Sequence, residues 1–67
     1  MNEIIFLVED DAEGGFRAQA IGDDIFTEAD TYEELKAMVI DSVRCHFDDQ
    51  KQRVIRLHYV KDEVIAA

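Results

Sequence analysis

Sixty-seven residues with one cysteine, no proline, no tryptophan and a net charge of −9 describe one small domain without an internal disulfide. A chain this short has a marginal core and commonly draws on a metal, disulfides or a partner chain. No apolar run approaches the roughly 18 residues of a membrane span, and the acidic start lacks the basic opening of a signal peptide, so a reducing cytoplasmic setting is expected.

The first strand is expected over residues 3–9, EIIFLVE, an apolar run between charges that is rich in β-branched and aromatic residues. Both of its faces, Ile4/Phe6/Val8 and Ile5/Leu7, are apolar, which suits a central strand needing cover on each side. Residues 10–14, DDAEG, are turn chemistry, with Gly14 and Gly15 available for positive φ. Residues 15–21 then alternate Phe16, Ala18 and Ala20 with Arg17, Gln19 and Ile21, as a half-buried strand does. Gly22, Asp23 and Asp24 turn the chain again, and residues 25–29 make a short third strand.

Residues 30–49, DTYEELKAMVIDSVRCHFDD, read as the helix. Thr31 and Glu34 form a capping box, hydroxyl and carboxylate each meeting an orphan N–H at the helix start. At 100° per residue, Leu35, Val39, Val43, Tyr32, Ser42 and His46 share a face, flanked by Met38 and Cys45 on one side and Ile40 and Phe47 on the other. That arc is wider than one sheet needs. Leu35, Val39 and Val43 are expected in the core, with Ile40 or Phe47 near a subunit boundary.

A polar connection over 48–52 leads to a fourth strand, residues 53–61, RVIRLHYVK. Val54, Arg56, His58 and Val60 share one face; Ile55, Leu57 and Tyr59 share the other, the expected core face. Residues 62–67, DEVIAA, extend the strand, fray, or reach across to another subunit. A strand, a crossover helix and a further strand imply a parallel, right-handed connection. The expected fold is therefore α+β: βββαβ, with a mixed four-stranded sheet in the order 3-2-1-4 and one helix packed on one face. The uncovered face is expected to be buried in a dimer or tetramer.

Charge is unevenly spread. Residues 1–34 carry eleven acids and one base, residues 35–67 five acids and six bases. The acidic half suits either a solvated rim or a docking face for a basic partner, and it disfavours autonomous nucleic-acid binding. Glu9, Asp10, Asp11 and Glu13 cluster at the end of the first strand, but two-metal catalysis needs carboxylates from several elements. Adjacent Cys45 and His46 diverge on a helix, so neither a zinc site with His58 nor a Cys–His nucleophile is expected. Cys45 reads as a half-buried small hydrophobe and His46 as a core or interface histidine. Arg53, Arg56, His58 and Lys61 form a basic strip on the last strand, read first as charge protecting an edge. No cofactor, metal or catalytic residue is expected, and the protein is not read as an enzyme.

From Ile4 to Phe47 the order of motifs resembles the HicB antitoxin family. An apolar strand leads to an acidic hairpin ending in Gly14, Gly15 and Phe16; a strand and a turn follow; Asp30, Thr31, Glu34 and Leu35 then open the helix. The resemblance implies a partial RNase H-like fold and an antitoxin that neutralises HicA, a small basic ribonuclease. Family members commonly carry a Pro-x-x-x-Gly-Cys-like segment between the second and third strands; residues 20–25 here keep only Gly22. Many also carry a DNA-binding domain after this unit, and none is expected within these 67 residues.

The sequence therefore nominates Glu9, Asp10, Asp11, Glu13, Asp23 and Asp24 for partner binding, and Ile40, Phe47, Arg56, His58 and Val60 for an oligomer interface. The alternatives are an oligomeric structural or regulatory module that binds another protein or a small ligand, with no toxin, and a vestigial RNase H-like nuclease.

Overall fold

A computed structural model describes residues 3–48 and 51–67. Among them the chain runs β1 (Glu3–Asp10), β2 (Phe16–Ala20), β3 (Phe26–Ala29), α1 (Tyr32–His46) and β4 (Val54–Val60). The sheet order is β3-β2-β1-β4, with β1 antiparallel to β2 and parallel to β4. The expected class and order are those observed. Residue 49, the far end of the predicted helical stretch, lies outside the described residues, and α1 ends three positions earlier at His46.

The 3.6-residue period of Leu35, Val39 and Val43 meets the two-residue period of Ile4, Phe6 and Val8, and all six are buried. Ala18 and Ala20 on β2 are also buried there, small enough for the helix to approach the sheet. The helix runs closest to β3 and β2, so β4 lies at the less covered edge. Ile55 and Leu57 pack against the core while remaining half-buried. Ile5 and Leu7 point to the opposite, uncovered face, together with Ile21, 60% exposed, and Phe26, 57% exposed.

At the helix start the Thr31 Oγ1 accepts from the Glu34 N–H at 3.1 Å. Among the described residues the reciprocal bond from the Glu34 carboxylate is not made, so only half of the expected capping box is present. The wide apolar arc is narrower in three dimensions. Met38 and Ile40 are 43% and 42% exposed, and Cys45 and His46 are exposed as well. That corrects the expected half-burial of Cys45 and takes His46 out of the core of the single chain. In the last turn of α1 Val43 stays buried while Cys45 and His46 look away from the core, and His46 has the Phe47 ring as its edge-to-face neighbour at 4.7 Å.

Candidate functional site

The β1–β2 turn brings the acidic hairpin, the end of β3, the start of α1 and the end of β4 to one end of the sheet. Gly14 and Gly15 adopt φ of +100° and +84°, which lets the turn close with the Asp11 N–H bonding to the Gly15 carbonyl and the Gly14 N–H to the Asp11 carbonyl. The Asp11 Oδ1 accepts from the Glu13 N–H, a local bond that rigidifies the turn. Register then does what sequence proximity cannot. Phe16 pairs with Ala29 and Arg17 with Glu28, so residues 28–30 come beside the hairpin. Asp11, Glu13, Glu28, Asp30 and Glu34 consequently line one shallow hollow of about 490 Å³, with Phe16 and Met38 among its apolar neighbours.

Of the six acids nominated for partner binding, four are at this end. Glu9 is paired across the strands with Arg17 at 3.2 Å, on the uncovered face. Asp10 accepts a 2.6 Å hydrogen bond from the Tyr59 hydroxyl. Asp23 and Asp24 belong to the turn that follows β2 and therefore lie at the opposite end of the sheet; the six do not form one surface. Glu28, Asp30 and Glu34 take their place in the hollow. The signal that would have found them is the hairpin register, since two antiparallel pairings return the end of β3 to the first turn.

Beneath the acids lies an aromatic trio. Phe16, Tyr32 and Tyr59 have ring centroids 5.6 to 5.9 Å apart, and the Lys36 ammonium lies 5.7 Å from the Tyr32 ring. The two-residue period puts Tyr59 on the core face of β4, and its ring does join that side, although the residue stays 42% exposed. Its hydrogen bond to Asp10, then partial burial, then the Asp10 charge hold the phenol above the ordinary tyrosine range. A raised acid favours the neutral form in the fold. The stabilisation is thus full below the unfolded value of about 10 and is lost as pH rises through the higher folded one. Titration of tyrosinate absorbance is expected to show a component above free tyrosine that disappears in Tyr59→Phe; an unshifted single transition would contradict this.

The basic strip splits between two faces, because a period of two sends alternate residues of β4 opposite ways. Arg56 lies on the uncovered face and pairs with Glu3 at 3.0 Å; the hydrogen bond and charge of Arg56 lower the Glu3 carboxyl, and those of Glu3 raise Arg56. His58 and the half-buried Val60 share that face. Arg53 is on the helix side, its guanidinium 4.1 Å from the Phe47 ring centroid. The oligomer candidates divide in the same way: Arg56, His58 and Val60 on one side of β4, Ile40 and Phe47 on the other. Ile40, Phe47 and Ile55, with the stem of Arg53, border an open cleft of about 700 Å³ between the end of α1 and the start of β4.

Among the described residues no group of three His, Cys, Asp or Glu side chains is arranged to hold a metal ion, and no helix is long and apolar enough to cross a membrane.

A UPF0150 protein of Thermotoga maritima is 39% identical over 64 residues, covering 96% of this chain and 91% of the relative. The chain belongs to the UPF0150 family. A UPF0150 protein of Archaeoglobus fulgidus is 52% identical over 46 residues, covering 69% of this chain and 68% of its own length. No family model matches, and no solved structure does. The UPF0150 relationship spans nearly the whole βββαβ unit, from β1 into the residues after β4.

Proposed function

We propose that the protein is a cytoplasmic, self-associating, HicB-like antitoxin-type module on a partial RNase H-like frame. It binds and neutralises a small basic HicA-like ribonuclease by occlusion and acts without catalysis of its own. The observation that carries this reading is the convergence of Asp11, Glu13, Glu28, Asp30 and Glu34, from three separate elements, on one hollow. Five carboxylates around one hollow give it a negative potential, which steers a cationic partner to the site. The motif order from Ile4 to Phe47 supports the same assignment. Glu9 and Asp10, the acids nearest a nuclease-like position, are engaged by Arg17 and Tyr59, which favours a binding surface over a vestigial nuclease.

The test is co-expression with the small basic product of a neighbouring reading frame, followed by titration calorimetry at two salt concentrations. Rescue of growth and a salt-sensitive complex are expected, with Glu13→Lys/Glu34→Lys weakening binding at low salt by roughly tenfold or more. No rescue together with no complex would overturn the antitoxin reading. The exposure of Ile21 and Phe26 on the uncovered face favours a second reading, an oligomeric structural or regulatory module with no toxin partner.

A further inference from the structure

The structure leaves β4 at the edge of the sheet with its outer backbone groups facing away from β1. Beyond Val60, residues 61–67 are all exposed and outside regular secondary structure, with Val64 94% and Ile65 79% exposed. The molecule is 51 Å long but only 22 and 18 Å across. Seven residues of β4 followed by seven extended residues span about 46 Å at roughly 3.3 Å each, so residues 61–67 running on in line with β4 account for most of that length. An in-line apolar segment and an adjacent unpaired edge are complementary, but one chain cannot fold the first back onto the second without a turn. Residues 61–67, KDEVIAA, make no turn or bend in the structure, and Asp62 is their only turn-favouring residue.

We propose that residues 61–66 of one copy pair antiparallel with residues 54–59 at the β4 edge of a second copy, about a two-fold axis at Val60, joining the sheets into one of eight strands. This rests on the self-association in the reading above and makes no use of the acidic end. A two-fold perpendicular to the sheet can pair only residues of the same face, which restricts the axis to a residue position. With the axis at Val60, Ile65 meets Ile55, Asp62 meets His58, Lys61 meets the Tyr59 ring, Ala66 meets Val54, and of the two core-packed residues of β4 only Leu57 faces a charge, Glu63. Moving the axis to Leu57 opposes Arg53 to Lys61 twice. Moving it to Tyr59 sets charges against both Ile55 and Leu57, the two β4 residues packed on the core, where the Val60 axis sets only one, and moving it to Lys61 opposes that lysine to its own copy. At Val60, Ile65 of the second copy also falls beside Ile40 and Phe47, in the cleft next to Ile55. Both halves of the oligomer nomination, on either side of β4, then border the same joint.

The experiment uses the full chain. Light scattering at micromolar concentration should give twice the 7.7 kDa chain mass. On a Cys45→Ser background, Val60→Cys and Ile55→Cys/Ile65→Cys are oxidised separately. Opposed pairs alternate between hydrogen-bonded and non-hydrogen-bonded sites, so one of these two designs falls at the closer spacing that a disulfide accepts. Cysteines at 55 and 65 of one chain would be about 33 Å apart along an extended strand and cannot close on themselves. A covalent dimer from at least one design, together with a rise of roughly tenfold or more in the dimer dissociation constant for Ile65→Asp and an unchanged circular dichroism spectrum, is the expected result. A dimeric mass with neither design cross-linking and Ile65→Asp unaffected would overturn this joint while leaving self-association standing. A monomeric mass would overturn both.

Discussion

Phe6→Ala is expected to leave the protein largely unfolded at room temperature. Phe6 is fully buried at the centre of β1, with neighbouring strands on both sides and α1 above. Removing a buried phenylalanine ring costs about 3–5 kcal/mol, the lost transfer energy plus the cavity left behind. A domain of this size commands roughly 3–10 kcal/mol in total. Phe6 shares one buried cluster with Val8, Leu35 and Val39, and among the described residues nothing covers the other face of the sheet to make up the loss. Urea titration followed by circular dichroism measures the loss. Phe26→Ala, on the uncovered face at 57% exposure, removes the same ring and is expected to change stability by only about 0.5 kcal/mol. Equal effects at the two positions would refute the assignment of faces.

Gly15→Ala should be the second severe change, and for a different reason. A Cβ at Gly15 would lie 2.6 Å from the Ala29 carbonyl oxygen, a backbone atom that cannot move without breaking the β2–β3 register. At Gly14, with nothing within 4 Å, alanine meets only the left-handed backbone penalty. Gly14→Ala is therefore expected to cost about 1–2 kcal/mol, and Gly15→Ala about 2–5 kcal/mol. The gap between the two variants in denaturant midpoint is the decisive quantity, because φ is similar in both and only the approach of β3 differs. Since that approach also builds the acidic hollow, Gly15→Ala should impair the proposed binding of a basic partner beyond its effect on stability. Equal stability losses in the two variants would remove β3 as the cause.

The architecture was legible because two periods in the sequence are unambiguous. Alternation in residues 15–21 and 53–61, against the 3.6 spacing of Leu35, Val39 and Val43, dictates which faces meet, and the apolar run of β1 dictates its central place. The strand order follows from the parallel crossover. The acidic surface was only partly legible: the hairpin acids were visible as a local run, whereas Glu28, Asp30 and Glu34 join them through cross-strand register, and the register places Asp23 and Asp24 at the far end. Cys45 and His46 misled for a related reason. A helical wheel assumes that the sheet lies squarely beneath the helix, and here α1 leans toward β3, so that in its last turn Val43 is buried while Cys45 and His46 meet solvent.

The parallel pairing of β1 with β4 also sets an order of events in time. Glu3 and Arg56, partners in the finished sheet, are separated by 53 positions, almost the whole chain. During synthesis β1 can meet β2 as soon as the first hairpin leaves the ribosome, but its other edge stays open until the last strand is made. The β1–β2–β3 meander and its acids should thus assemble early, with closure of β1 by β4 a late, non-local and slower step. Emergence of β4, rather than formation of the hairpin, would then time the appearance of the complete sheet.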